Sequence, residues 1–263
     1  MRTLVLSLAL GAVSLPMWAA DAAGAAPAMS PDEIIQKFAA KEAEFRDARN
    51  NYTYRQSVKL EELEPAGGMW EIVEDIIFSP DGKRMEKVVY APVISLRNIL
   101  LTPQDQQDLR DVQPFVLTTQ DIDQYDIRYL GREKVDEIGT YAFAVKPKKL
   151  LPNKRYFEGQ IWVDDRDLQI VKTYGKGVGQ RKGDDAYPKF ETYREQIDGK
   201  YWFPTYTHAD DTLHFKSGEN QRVRMVVKYQ DYKKYEGKST IKYGDVVDDK
   251  NPGKKPDVPP AVK

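Results

Sequence analysis

The spacing of apolar residues changes once along the chain, near residue 51. Before that point Ile34, Phe38 and Phe45 recur at helical spacing behind the motif SPDE (30–33). The serine can cap a helix, the proline suits its first position, and the glutamate completes a capping box. The pattern predicts one amphipathic helix that ends near Asn50 and whose apolar face covers another element.

From residue 51 onward, apolar and polar residues alternate with the period of two that is typical of half-buried strands. Such runs include YTYRQSVKL (52–60), YDIRYL (125–130), TYAFAVK (140–146) and RVRMVVKYQ (222–230). Together they predict about ten to eleven antiparallel strands, and a sheet of that size tends to curl. We therefore predict a mainly β fold, an unclosed antiparallel β-barrel wrapped over the N-terminal helix and a short lid helix.

Turn signals separate these strands. The stretch RYFEGQIWVDDRDLQIVKTYG (155–175) carries four acidic residues, which could be an acid/base centre or a hairpin turn. Apolar residues alternate up to DDRD (164–167) and away from it, and aspartate favours turns, so we interpret Asp165 and Asp167 as turn residues. The dipeptide Asp198-Gly199 predicts a type I′ turn, and PDG (80–82) predicts another turn.

One apolar stretch does not fit the strand pattern. Leu96, Leu100 and Leu101 lie at near-helical spacing, and TPQD (102–105) then begins a second capped helix. We interpret this part of the chain as a mobile apolar segment and a short helix that lie over the sheet. The three leucines are therefore candidate lid residues.

The N-terminal segment and the composition predict a protein that is exported from the cytoplasm. Residues 1–22 have the order of a secretory signal peptide, with a short apolar core behind Arg2. Residues 30–243 would form the β domain, and residues 244–263 a disordered Lys/Pro-rich tail. The chain has no cysteine, and its 40 basic and 41 acidic residues give no overall positive field for nucleic acid. We expect a periplasmic protein.

Catalytic and metal signatures are weak. His208, Asp210 and His214 share one strand face, but the rise of a strand spreads them over about 20 Å, too far for one ion. Asp210 and Asp211 also look like a bulge or turn that breaks the strand. No nucleophile elbow, HExxH motif or phosphate-binding glycine loop occurs. We predict no metal, no cofactor and no enzymatic activity, with a glycosidase-type carboxylate pair as the alternative.

The apolar positions that face inward allow two interpretations. Either they fill a core, or ten strands enclose more volume than their side chains fill and leave a pocket for apolar chains. In the second case, binding should grow with chain length and depend little on salt, since net charge is near zero. The inward set that we predict is Tyr54, Trp70, Tyr141, Phe143, Ile161 and Val163.

Several phrases of the sequence resemble a known family. The order of YTYRQ, DIIFSPDGKR, QPF, FEGQIWVDDRDLQIVKTYGK and YREQIDGKYWFPTYTHADD is similar to that in LolA/LolB-like periplasmic outer-membrane lipoprotein-sorting proteins, and in particular to a long bacterial branch of them. The resemblance covers about residues 30–235. It implies an apolar cavity that receives acyl chains of lipoproteins or another lipid.

The resemblance also implies one site residue and a class of partner. In these carriers an arginine of a Lys-Arg-Pro phrase helps to hold lid and ligand, and Arg84 is the comparable residue here, with Met85 in place of the proline. The implied partners are lipoprotein acyl chains or lipid and a handover partner at the inner or outer membrane, for a monomeric protein. The alternative is an outer-membrane-associated hydrolase, or a structural or interaction protein with a filled core.

Overall fold

The computed structural model of the protein describes residues 29–79, 83–179 and 187–235. Three predicted features lie outside these described residues: the signal peptide (1–22), the PDG turn (80–82) and the Lys/Pro-rich tail (244–263). Of the predicted β domain, the described part ends at residue 235. A search of the described residues finds no helix with the length and hydropathy needed to cross a membrane.

Ten strands and two α-helices make up the described chain. Their bounds are α1 Pro31–Arg49, β1 Tyr52–Glu64, β2 Met69–Phe78, β3 Arg84–Tyr90, α2 Pro103–Asp111, β4 Tyr125–Val135, β5 Ile138–Pro147, β6 Arg155–Asp164, β7 Ile170–Gly179, β8 Phe190–Ile197, β9 Tyr201–His214 and β10 Asn220–Lys234. A 3₁₀ turn, Ile122–Gln124, precedes β4.

All ten strands belong to one antiparallel sheet. Its order is β3-β2-β1-β10-β9-β8-β7-β6-β5-β4, so β1 pairs with β10 while β3 and β4 are the two edges. Because β3 and β4 do not pair, the sheet is unclosed. The prediction of a mainly β fold with about ten antiparallel strands is confirmed.

Helix α1 covers one face of the sheet, which we call the inner face. Ser30 caps the helix with the predicted capping box, and Asn50 ends it. Ile34, Phe38 and Phe45 are at most 1% exposed, and the ring of Phe38 lies 5.6 Å from that of Phe143 on β5. Burying each such side chain stabilises the fold by about 1.5–3 kcal/mol. The predicted apolar face of the helix is confirmed.

The acidic stretch between β6 and β7 is a hairpin turn, as predicted. The Asp164 side chain accepts hydrogen bonds from the backbone N–H groups of Arg166 (2.8 Å) and Asp167 (2.5 Å). Asp198 and Gly199 have φ values of 54° and 66°, as a type I′ turn between β8 and β9 requires.

The predicted break at Asp210 and Asp211 is wrong. β9 runs through both residues and stays paired with β10, with Asp211 opposite Val223 and Asp210 opposite Arg224. Asp210 also lies 3.0 Å from Arg222 and 3.1 Å from Arg224. Charge pairing across strands therefore keeps in the sheet a residue whose local preference is for turns.

Candidate ligand-binding cavity

Strand register brings Arg84 to the inner face of the sheet. Phe78 of β2 pairs with Arg84 of β3, and Ile76 pairs with Glu86. Arg84 donates a hydrogen bond from Nη2 to Oε1 of Gln56 on β1 at 2.8 Å, and it forms an ion pair with Glu86. The arginine singled out by the resemblance is therefore held in place by Gln56 of β1 and by Glu86 of its own strand.

A cavity of about 300 Å³ lies beside this arginine, at the C-terminal end of α1. Its walls come from α1, α2, the chain after α2, and strands β1, β2, β3, β9 and β10. The lining residues are Phe45, Arg46, Asp47, Arg49, Asn50, Tyr54, Phe78, Arg84, Arg110, Pro114, Phe203, Pro204, Tyr229 and Tyr232.

Aromatic rings form much of the cavity wall. The ring of Tyr54 lies 5.1 Å from that of Tyr232 and 6.2 Å from that of Tyr229, and Phe203 lies 4.7 Å from Tyr232. The Tyr232 hydroxyl donates to the Pro204 carbonyl at 2.6 Å. Burial raises the pKa of both Tyr229 and Tyr232 well above the usual value, so both hydroxyls stay neutral at physiological pH. This wall is uncharged and broad.

Guanidinium groups form the other part of the wall. Arg46 donates to Thr118 and Gln120 at 3.3 Å, and its side chain is 33% exposed. Arg110, 35% exposed, lies 3.8 Å from Glu86. The cavity therefore has a neutral aromatic side and a cationic side.

A smaller cavity of about 60 Å³ continues along the inner face of β1 and β2. It shares Arg84 and Arg110 with the larger cavity and extends to Trp70. Glu74 lies in its wall, and burial raises the pKa of this carboxyl against the opposing effect of the two arginines. A third cavity, of about 140 Å³, lies apart from these, beside Tyr125 and Arg155.

The predicted site residues fall into separate groups in the structure. Tyr54 and Arg84 line the larger cavity, and Trp70 and Arg84 line the smaller one. Four others lie in the packed core beneath α1, at most 4% exposed, and line none of these three cavities: Tyr141, Phe143, Ile161 and Val163. A ligand could reach those four only if core groups moved aside, and their binding role stays a prediction.

Residues 91–101, which we call the β3–α2 segment, contain no helix and no strand. Leu96 and Leu101 are partly buried against the main core, whereas Leu100 is 85% exposed. The segment comes so close to the β1–β2 turn that a Cβ on Gly68 would lie 1.7 Å from the Ser95 carbonyl oxygen. The role of the three leucines as a lid stays a prediction, and in this conformation Leu100 covers nothing.

Hydrogen bonds to Glu62 of β1 hold the β3–α2 segment against the sheet. This carboxylate, 5% exposed, accepts hydrogen bonds from the backbone N–H groups of Asn98 and Ile99 at 2.7 Å, Gly68 at 2.8 Å and Arg97 at 2.9 Å. Burial acts to raise the pKa of Glu62, but the four N–H donors together lower it. The segment that we expected to be mobile is thus held by this buried carboxylate and, at Ser95, by hydrogen bonds with the backbone of Met69.

Two buried ion pairs were not predicted from the sequence. Glu42 of α1 pairs with Arg194 of β8 at 3.0 Å and also accepts the backbone N–H of Ile170 at 3.1 Å. Asp108 of α2 pairs with Arg155 of β6 at 2.9 Å. The sequence contained a signal for the first pair, because Glu42 is a charged residue on the otherwise apolar face of α1. These pairs position both helices against the sheet.

The candidate metal residues bind different partners. His208 lies 3.6 Å from Glu191, Asp210 contacts arginines of β10, and His214 hydrogen-bonds to Asn220 at 2.7 Å. Within residues 29–79, 83–179 and 187–235, no group of three or more His, Cys, Asp or Glu side chains could hold a metal ion.

Comparison with solved structures finds matches of low sequence identity. A DUF1329 family protein from Desulfovibrio piger is 15% identical over 80% of this chain and 95% of its own, with a TM-score of 0.44. A LolA superfamily protein from Nitrosomonas europaea is 14% identical over 78% and 93%, with a TM-score of 0.38. A domain described as outer membrane lipoprotein-sorting, from Vibrio parahaemolyticus, is 13% identical over 77% and 94%, with a TM-score of 0.34.

No protein-family model and no curated protein matches the sequence. LolA superfamily and lipoprotein-sorting proteins are thus among the structures that this chain resembles, at 13–15% identity. What the chain binds has to be argued from its own residues.

Proposed function

We propose that this protein binds the acyl chain of a lipoprotein or another lipid in the larger cavity and acts as a carrier or binder rather than as an enzyme. The observation that carries the proposal is the neutral aromatic wall formed by Tyr54, Tyr229 and Tyr232 in a cavity of about 300 Å³. That volume lies at the lower end of the range for small-molecule sites, about 300–1,000 Å³.

The cavities suggest a path for a longer chain. The larger and smaller cavities meet at Arg84 and Arg110, and the smaller one extends along β1 and β2 to Trp70. An extended acyl chain that displaced the contacts between them would pass Tyr54, Arg84 and Trp70, three of the predicted site residues. Each buried methylene contributes about 0.8 kcal/mol, so affinity should increase with chain length until this path is filled.

The proposed setting is the periplasm. The secretory pattern of residues 1–22 supports export, and the resemblance supports outer-membrane lipoprotein sorting. In this setting the protein would be a monomer that passes its ligand to or from a partner at the inner or outer membrane.

A titration with saturated fatty acids of increasing length tests the proposal. We expect the dissociation constant to fall with each added methylene in the native protein, and Tyr54→Ala to weaken binding of the longer chains. Tyr206→Ala is the matched control, because Tyr206 is 37% exposed and stacks on His208, away from the cavity. Equal affinity for all chain lengths would contradict the proposal.

The filled core supports a second candidate, a structural or interaction protein. The interior beneath α1 is packed, while β3 is an edge strand with exposed apolar side chains, Val88 at 55% and Tyr90 at 52%. Native mass spectrometry of gently purified protein separates the candidates. Co-purifying lipid supports the carrier, a lipid-free mass with a bound protein supports the second candidate, and turnover of polysaccharide would support the hydrolase alternative.

A further inference from the structure

The charge around the larger cavity differs from the charge of the whole chain. The full sequence has a formal net charge of −1. Among the described residues that line the cavity, four are arginines and one is an acidic residue, Asp47. The near-zero net charge therefore conceals a local excess of positive charge beside the aromatic wall.

Three separate elements supply these arginines. Arg46 and Arg49 lie in the last turn of α1, Arg110 lies in the last turn of α2, and Arg84 begins β3. Basic residues near a helix C-terminus interact favourably with the helix dipole, which explains why they are common at such positions. The dipole does not explain why two helix ends and a strand bring their arginines to the wall of one cavity.

Two of these arginines keep hydrogen-bonding capacity toward an anion. A guanidinium has five N–H donors, and a charge-assisted hydrogen bond to a carboxylate is about 2.7–2.9 Å long. Arg46 uses two of its five N–H groups on Thr118 and Gln120, and it lies 3.9 Å from the carboxylates of Asp47 and Asp121. Arg110 lies 3.8 Å from Glu86, so each of these carboxylates is farther away than such a bond. Since both side chains are about a third exposed, an incoming acidic group can reach them.

We infer that the cavity selects a single-chain amphiphile with an acidic head group, a carboxylate or a phosphate monoester, which binds Arg46 and Arg110 while its tail lies against Tyr54 and Tyr232. Arginine suits this role because its planar fork of donors matches both kinds of oxyanion. The inference rests on the proposed acyl-binding function and specifies the ligand for the same site.

Salt dependence is the first consequence. The net charge of the chain predicted acyl binding that depends little on salt, but arginines in the cavity wall predict that an acidic amphiphile binds more weakly as ionic strength rises. A neutral amphiphile with the same tail should show no such loss.

Chain-matched probes test the inference. Dodecanoic acid, dodecyl phosphate and dodecanol are titrated into the native protein, with acetate and inorganic phosphate as competitors without a tail. We expect both acidic probes to bind roughly tenfold or more tightly than dodecanol, since hydrogen bonds to charged groups are stronger than neutral ones. Acetate and inorganic phosphate at the same concentration should not displace the probes.

A charge-matched pair of variants locates the effect. The double variant Arg46→Gln/Arg110→Gln should remove the preference for acidic probes, while Arg46→Lys/Arg110→Lys should restore part of it. The control Arg222→Gln/Arg224→Gln removes the same charge from two arginines that pair with Asp210 on β9. It should leave every probe unchanged.

The outcomes separate this inference from the proposed function. Equal affinity of native protein for dodecanol and the acids would overturn the head-group inference while acyl binding stands. An equal loss of the preference for acidic probes in the Arg222→Gln/Arg224→Gln control would also overturn it. The same holds if inorganic phosphate displaces bound dodecyl phosphate as effectively as free dodecyl phosphate does. Failure of all three dodecyl probes to bind would overturn both.

Discussion

Replacing Glu62 by glutamine tests whether one carboxylate holds the β3–α2 segment against the sheet. Oε1 accepts the N–H groups of Asn98 and Ile99, and Oε2 accepts those of Gly68 and Arg97. Glutamine has nearly the same shape but only one acceptor oxygen, and its NH₂ group would face N–H donors. Two of the four hydrogen bonds are therefore lost.

The expected effect is large but local. A hydrogen bond to a charged group contributes about 1.5–3 kcal/mol, so losing two costs about 3 kcal/mol or more. The β3–α2 segment contributes no strand to the ten-stranded sheet, so we expect the cost to appear as easier local opening rather than as a full loss of global stability. At about 1.4 kcal/mol per factor of ten, opening becomes more frequent by on the order of a hundredfold.

Amide hydrogen exchange followed by mass spectrometry measures this opening. We expect faster exchange in the peptide that contains Arg97, Asn98 and Ile99, with peptides of β5 and β6 unchanged. Glu61→Gln is the matched control, because Glu61 is the neighbouring residue on the opposite face of β1 and pairs with Lys59 at 2.8 Å. Equal protection of the segment in the native protein and in Glu62→Gln would refute the reasoning.

Acid should have the same effect as the substitution. The N–H donors hold the pKa of Glu62 below its usual value in the folded protein, despite the opposing effect of burial. A carboxyl with a lowered folded pKa stabilises the folded state above its unfolded pKa, about 4.3, and this stabilisation is lost as pH falls through the folded value. Segment protection, corrected for intrinsic exchange, should therefore decline below about pH 4 in the native protein.

Three further substitutions test other parts of the structure. Glu42→Gln, which leaves Arg194 buried without its ion-pair partner, should lower the free energy of unfolding in urea by about 3–5 kcal/mol, and a loss below about 1 kcal/mol would contradict this assignment. Asp165→Asn should cost less than about 1 kcal/mol and leave ligand binding intact, whereas loss of binding in a stable variant would indicate an acid/base role. Leu100→Glu should change stability by less than about 0.5 kcal/mol because Leu100 is exposed. If the lid prediction holds, that variant releases a fluorescent fatty acid faster, and an unchanged rate contradicts it.

Local features of the fold could be predicted from the sequence because short stretches determine them. The capping box at Ser30 forms from residues three apart, and Asp198-Gly199 adopts the positive φ values that its turn requires. The period-two strands predicted a mainly β fold for the same reason, since alternation along one strand does not depend on its partner. The wrong prediction, a break at Asp210 and Asp211, concerns residues whose state depends on arginines in the neighbouring strand.

The candidate site was only partly predictable. Arg84 and Tyr54 were identified and do meet at the larger cavity, but Arg46, Arg110 and Tyr232 were missed. No local pattern marks these three as neighbours, because basic residues at helix ends and tyrosines in strands are common everywhere. Likewise, Tyr141 and Phe143 occupy alternate positions of β5, as residues that line a pocket would. The alternation shows that both side chains share one face of the strand, but it does not show whether that face contacts a ligand or α1.

The helices, the strands and most turns of this protein follow from local sequence, because they depend on interactions between residues a few positions apart. Three other features come from the folded structure alone: β1 pairs with β10, β3 and β4 are edges, and Glu62 binds the chain after β3. Those contacts join residues distant in sequence, and many pairings satisfy the same apolar pattern. Which side chains share a cavity is fixed only when the whole sheet has formed and α1 has packed against its inner face.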